Sequence, residues 1–233
     1  MAREAGAQNS ARVVPGAGHE KRRTKTRSAL ISAAMRLLAE GRQGVGIREI
    51  TAEAGVGFGS FFNHFPGGKD ELYSTAVREI LDAFALTIAE ATSDCSDPAE
   101  VFARSFRLTG RLAINNAALI TPVLASGTEL LVEDFPLRTA ALNDIAEGIE
   151  SGRFAPMDPE VHLASVGGAL LGMIRLTAHR LGAGRTPISE DEIDLQAESV
   201  LRMLGLNAQD AADVVSRDLP GEDEINWDAL RLP

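Results

Sequence analysis

The chain is poor in several residues. Its 233 residues include one cysteine, one tryptophan, one tyrosine and only three lysines. With Cys95 alone there is no internal disulfide. The first 20 residues, MAREAGAQNSARVVPGAGHE, lack the apolar middle of a secretory signal and read as a flexible tail, so a cytoplasmic address is expected. No apolar run approaches the roughly 20 residues of a membrane span. His19, His64, His162 and His179 are scattered without zinc-type spacing. Neither a glycine-rich phosphate loop nor a nucleophile elbow occurs, so no metal, cofactor or catalytic set is expected. With aromatic residues at 5%, nothing in the sequence suggests a stacking cage for a planar cation.

What is present is unevenly distributed. The net charge of −10 argues against a nucleic-acid partner until it is resolved along the chain. From Lys21 to Lys69 nine Lys/Arg face three acids, a balance of +6; from Asp70 onward twelve Arg face 28 Asp/Glu, a balance of −16. All three lysines fall in the basic block. Such a block is either a solvated helix face or the electrostatic footprint of a nucleic-acid site.

Hydrophobic spacing is helical nearly throughout, with no alternating strand runs, and the fold class is all-α. A first helix is expected from about Thr24 to Glu40, and a short one from Ile47 to Ala54 that Gly55 stops in the left-handed conformation. Another follows from Phe58 to His64, ended by Pro66. A long helix begins near Lys69. Later helices open at Asp97-Pro98, near Phe135, at Asp158-Pro159, at the capping box Ser189-Glu190-Asp191-Glu192, and near Asn207. Leu119 to Ala125 is a shorter element interrupted by Pro122, and Asn115, Asn116 and His179 are polar candidates without a defined role.

The crowded stretch GVGFGSFFNHFPGGK holds Phe58, Phe61, Phe62 and Phe65, four of the nine phenylalanines. By periodicity all four could form one buried stripe. Two short helices joined at Gly55-Val56-Gly57 make a helix-turn-helix, whose second helix enters the DNA major groove. The wording IREITAEAGVGFGSFFNHFPGGKDELY then resembles the signature of the tetracycline-repressor (TetR) family. Ile50, Ala54, Gly55, Val56, Gly59, Ser60, Phe61, His64, Phe65 and Lys69 match it, and the likeness covers about residues 24 to 75. A weaker echo lies in GIESGRF followed by MDPE.

The resemblance implies an N-terminal three-helix DNA-binding domain over 21–68 and a larger helical ligand-binding and dimerisation domain over 69–217. A tail, 1–20, and an acidic tail, 218–233, flank them. It puts Phe61 and Phe65 in the core and turns Phe58 and Phe62 toward DNA. Phe58 would pack on thymine methyls, and Asn63 would pair with adenine, hold a phosphate or cap a helix end. Ser60 and His64 would touch phosphate or sugar. Lys69 would offer a phosphate its ammonium and a helix N-terminus, with Lys25 and Arg48 completing the footprint. Three departures stand out. Phe62 replaces a Tyr and loses its hydroxyl, Gly57 replaces a Ser/Thr cap, and the loop Pro66-Gly67-Gly68 is one residue longer.

For the larger domain the same resemblance implies a pocket and a dimer. Phe84, Phe102, Phe106, Leu142, Ile145, Met173 and Thr177 lie on faces that converge between helices. Gly168, Leu171, Gly172, Val200 and Leu204 are candidates for a four-helix interface between two copies. The expected partners are a palindromic double-stranded operator, a small-molecule effector and a second copy of the chain, with no membrane. The alternative is a DNA-binding regulator controlled without a small molecule.

Overall fold

Nine α-helices make up nearly all the ordered structure in the computed structural model, which describes residues 17–42, 44–115, 120, 123–124, 127–221 and 224–225. They are α1 (Ala17–Ala39), α2 (Ile47–Glu53), α3 (Phe58–Phe61), α4 (Lys69–Ala91), α5 (Pro98–Asn115), α6 (Pro136–Glu150), α7 (Pro159–Gly182), α8 (Glu190–Met203) and α9 (Ala208–Val215). A 3-10 turn, Gly127–Leu131, precedes α6. No strand occurs among the described residues. Asn116, most of the expected element from Leu119 to Ala125, and the end of the chain from 226 lie outside them.

Most helix boundaries follow their local chemistry. Asp158 caps α7 through the Glu160 amide, Ser189 and Glu192 form the reciprocal box that opens α8, and Asn207 caps α9 through the Asp210 amide. The start of α1 is a correction. The helix begins at Ala17 rather than near Thr24, because Thr24 is not a cap: its hydroxyl donates back to the Glu20 carbonyl at 3.1 Å, inside a continuous helix.

Two cores run end to end. The first joins α1, α2 and α3 to the N-terminal half of α4, with Leu30, Leu37, Leu38, Ile50, Phe61, Phe65, Leu72 and Ala76 buried. The second lies among α5 to α9 and is built on Phe102, Phe106, Ile145, Ala197, Val200, Leu201 and Leu204. Phe84 and Ile88, further along α4, meet Leu108 together with Leu219 and Ile225 of the C-terminal segment.

Arginines fix the second core at its rim. Arg153 forks onto Asp97 at 2.8 and 3.0 Å and reaches Asp210 at 2.5 Å, tying the turn after α6 to the starts of α5 and α9. Arg107 forks onto Asp194 at 2.9 and 3.0 Å, and Arg111 joins the same carboxylate at 2.9 Å. Paired, planar contacts of this kind specify geometry as well as attraction.

By length and composition α7 is apolar enough to cross a membrane, which departs from the expectation that no run comes close; small residues inside it raise its apolar character without adding bulk. Only 28% of that apolar window is buried.

Close packing after α6 depends on a missing side chain. A Cβ on Gly148 would stand 2.1 Å from the Phe154 ring, whose own amide donates to the Gly148 carbonyl at 2.8 Å. Gly148→Ala should therefore destabilise the protein by about 1–3 kcal/mol, read as a lower midpoint in urea unfolding. An unchanged midpoint would show that Phe154 swings aside freely.

Candidate nucleic-acid interface and interior cavity

The turn between α2 and α3 is set by backbone rather than side chains. Gly55 sits at φ +63°, and the amides of Gly55 and Val56 return to the carbonyls of Ala52 and Thr51 at 3.1 and 2.9 Å, closing α2. Gly57 then enters α3 in extended conformation with no side-chain cap. Regular α-helix covers only Phe58–Phe61, shorter than the expected run to His64. The chain continues as a turn in which the His64 and Phe65 amides both donate to the Phe61 carbonyl, because Pro66 draws Phe65 away from helical geometry.

The four phenylalanines divide into two pairs. Phe61 and Phe65 are 0% exposed and lock the segment onto α1 and α4, while Phe58 and Phe62 are each 47% exposed. Phe62 packs edge-on against both Phe58, 6.0 Å away, and Phe61, 5.3 Å away, so the exposed rings stand on the buried ones. Arg48 of α2 lies over the Phe58 ring at 5.7 Å. Asn63 is exposed and makes no protein hydrogen bond, so the helix-end cap is not taken up. Gly57 is exposed and Ser60 half-buried.

Of the nine cations in the basic block, Arg27, Arg36 and Arg42 pair with Glu79, Glu53 and Glu40/Glu49. Lys21, Arg22, Arg23, Lys25, Arg48 and Lys69 have no carboxylate partner among the described residues. The His64 imidazole is held below its usual pKa by burial and by the neighbouring Arg23 and Arg27 charges, so it is a neutral donor at physiological pH. Lys69 is half-buried and gives one of its three protons to the Val45 carbonyl, in the connection between α1 and α2, at 3.2 Å, which leaves two donors unspent.

Beyond the head, α4, α5, α6 and α7, with Val123, Leu130 and Leu131, line a partly open cavity of about 180 Å³. Phe84, Phe102, Phe106 and Phe135 line it, so four of the nine phenylalanines gather here. The polar lining is small: Ser105, Thr109, Arg138 and Asp144. The Ser105 hydroxyl is buried without a partner. Among the described residues Asp144 receives no hydrogen bond or ion pair, and burial, reinforced by the Glu147 charge, pushes its pKa up to about 6.

The remaining pocket candidates lie elsewhere. Ile145 is fully buried in the second core, with Leu142 packed against it from outside. Met173 and Thr177 miss the cavity because α7 faces it through Leu163, Gly167, Leu170 and Ile174, a stripe that Met173 flanks and Thr177 lies beyond. The interface candidates change as well. Val200 and Leu204 are completely buried inside one chain and offer no surface to a partner, and Leu171 lines the cavity. Gly168 and Gly172 remain exposed, with open space where a Cβ would stand. His179 is exposed.

Comparison with known proteins agrees with this layout. The model of bacterial regulatory proteins of the tetR family matches residues 30–76, and that of the tetracyclin repressor-like C-terminal domain matches 97–217. The chain belongs to the TetR family. The HTH-type transcriptional regulator LmrA of Bacillus subtilis (strain 168) is 35% identical over 119 residues, 49% of this chain and 62% of LmrA. The uncharacterised HTH-type regulator YxaF of the same organism is 32% identical over 124 residues, 52% of this chain and 64% of YxaF. The matched stretches thus span a little under two thirds of these curated relatives. The crystal structure of RolR in complex with resorcinol superposes with a TM-score of 0.72 at 30% identity, covering 87% of this chain and 98% of that one.

Two cavity groups escaped the sequence reading of this TetR-family chain, although both left a signal. Ser105 interrupts the apolar stripe Phe102, Phe106, Thr109, and Asp144 interrupts the stripe Ala141, Ile145, Gly148. A polar residue inside a buried helical face marks a site as well as an apolar one does.

Asp144 carries a pH signature. Its folded pKa of about 6 lies above the ordinary 3.8, so the folded chain binds this proton more tightly than the unfolded chain does. The stability that this supplies is present below the ordinary value and is lost as pH rises through the folded one. Asp144→Asn should therefore raise the melting temperature more at pH 7.5 than at pH 5. Equal shifts at the two pH values would place the carboxyl in free solvent.

Proposed function

We propose that this protein is a sequence-specific transcriptional repressor that binds a palindromic operator as a homodimer and releases it when a small molecule fills the cavity. One observation carries the reading: a single helix, α4, is built into both the DNA-facing head and the cavity wall. Leu72, Ala76 and Val77 belong to the head's core, and Ile80, Leu81 and Phe84 line the cavity. Phe135 does both as well, held beneath the Arg78 guanidinium at 4.6 Å.

Recognition follows from the head's surface. Phe58 presents an apolar face suited to thymine methyls, and Asn63 a free amide suited to adenine. Lys25, Arg48 and Lys69 neutralise phosphates, with Ser60 and His64 as neutral contacts that fix register. Dimerisation is supported by an exposed stripe along α7, through Val161, Gly168, Gly172 and Leu176, continued by Leu195 and Met203 of α8. Burial of this stripe against a second copy accounts for how little of α7 is covered in one chain, and a cytoplasmic location goes with a DNA partner. Two heads about 34 Å apart read successive half-sites.

A ligand shifts this equilibrium only by its preference for the off-DNA form; tenfold preference corresponds to about 1.4 kcal/mol. RolR, solved with resorcinol, is a relative of similar architecture that holds a small molecule. The relatives are transcriptional regulators, and catalysis has no place in this reading.

Selection of genomic fragments by the purified protein, followed by binding across a salt series, tests the proposal. A palindrome bound by a dimer is expected. Weak, sequence-blind binding would count against it. On the selected site Asn63→Ala should cost about 1–3 kcal/mol and relax preference at one or two base pairs; uniform weakening on every sequence would make Asn63 a backbone contact. Lys69→Ala should weaken all sequences and flatten the salt slope by about one unit, whereas an unchanged slope would leave Lys69 as a tie for Val45 alone.

A further inference from the structure

We propose that the cavity takes a compact, uncharged, single-ring molecule carrying at least one hydroxyl group, which donates a hydrogen bond to Asp144 and meets the Ser105 hydroxyl. The inference rests on the reading of the cavity as the effector site and narrows its chemistry.

Size sets the first limit. A closed apolar cavity of about 150 Å³ is known to hold benzene, and this one measures about 180 Å³. One ring with small substituents fits that volume. Shape and chemistry agree, because Phe84, Phe102, Phe106 and Phe135 come from three directions in the chain and leave a space bounded by aromatic faces and edges.

Charge sets the second limit. Arg138 is the lone cation of the lining, and it is committed to the Leu131 carbonyl at 2.9 Å and to Glu160 at 2.5 Å. An anionic ligand would have to compete with Glu160 for that guanidinium and would also face the Asp144 carboxyl. A cation would meet one carboxyl and one hydroxyl inside an otherwise apolar wall, fewer acceptors than a buried ammonium needs.

Polar groups set the third limit. Thr109 is already satisfied, donating to the Ser105 carbonyl at 2.6 Å. Ser105 Oγ and the Asp144 carboxyl are left over, one a buried hydroxyl without a partner and the other a carboxyl without a donor. Leaving such groups unmatched opposes folding. A ligand hydroxyl supplies what Asp144 lacks, and Ser105 can both give and accept. A bare hydrocarbon of the same size would satisfy neither. The charge that acts on Asp144 is Glu147 of its own helix; Arg138 is the other charged residue of the lining, and the cavity-lining residues of α4, α5 and α7 carry no charge. Protonating Asp144 therefore replaces a charged acceptor with a weaker neutral one, and affinity should fall as pH drops from 7.5 to 5.

Calorimetric titration of the full chain with phenol, benzene, benzoate and decanoate tests this, with operator binding followed in parallel. Phenol should bind at least tenfold more tightly than benzene, and benzoate and decanoate should give no heat. Asp144→Asn, checked for folding by its melting curve, should cut phenol affinity about tenfold and leave benzene unchanged. Ser105→Ala should reduce phenol affinity by a smaller factor. Equal affinity for phenol and benzene, tight binding of either anion, or an Asp144→Asn variant with undiminished phenol affinity would each overturn the ligand class. If decanoate frees the operator and phenol does not bind, this inference falls and the ligand-released repressor stands. Should phenol bind as described while the operator complex persists, the ligand class stands and the release mechanism falls.

Discussion

The packing of α4 against α1 is the contact on which the rest of the molecule depends. The residues before Lys69 do not enclose a core of their own: Leu30, Leu37, Leu38, Ile50, Phe61 and Phe65 become buried only because Leu72, Ala76 and Val77 close the space between them. A three-helix head of this size buries too little apolar surface to be firm alone. Borrowing one wall from the neighbouring domain solves that problem and creates a mechanical link. Close-packed interiors have low compressibility and transmit strain, and Ile80 and Leu81 belong both to this core and to the cavity wall.

The larger domain is not equally stiff around this helix. Its α5, α8 and α9 side is cross-linked by Arg153 with Asp97 and Asp210, and by Arg107 and Arg111 with Asp194. Among the described residues the α4, α6 and α7 side has fewer such links, chiefly Arg138 with Glu160 and Arg78 with the Asp134 carbonyl. Individual pairs at a partly exposed rim contribute little energy, but a fork that joins three elements fixes their relative placement. The cavity lies on the less constrained side, where the wall nearest the head has room to respond.

Much of this was legible in the amino-acid sequence, and the failures have physical causes. Capping chemistry is local, so Asp158, Ser189 and Asn207 could be placed by inspection. Thr24 misled because a hydroxyl inside a helix looks the same in sequence as one at its start. Periodicity could not separate Phe58 and Phe62 from Phe61 and Phe65, since all four lie within one helical face; the family likeness made that division. Val200 and Leu204 were assigned to an interface because an apolar helical stripe does not say whether its partner belongs to the same chain. Ser105 and Asp144 are not legible as cavity groups from apolar periodicity, because a polar side chain carries no weight in a hydrophobic stripe. The 5% aromatic content concealed a concentration: four phenylalanines in the head, four around the cavity and one, Phe154, beneath Gly148.

The confinement of all three lysines to the head has a practical side. Every side-chain primary amine in the chain stands at Lys21, Lys25 or Lys69, while from Asp70 onward lysine and arginine charge is carried on guanidinium groups alone. Amine-reactive chemistry at side chains is therefore addressed to one end of the molecule. A protein coupled to a sensor chip through its lysines is fastened by the same end that carries Phe58 and Asn63, and its cavity points away from the support. Binding of small molecules would be measured faithfully in that orientation, whereas nucleic-acid binding calls for immobilising the other partner.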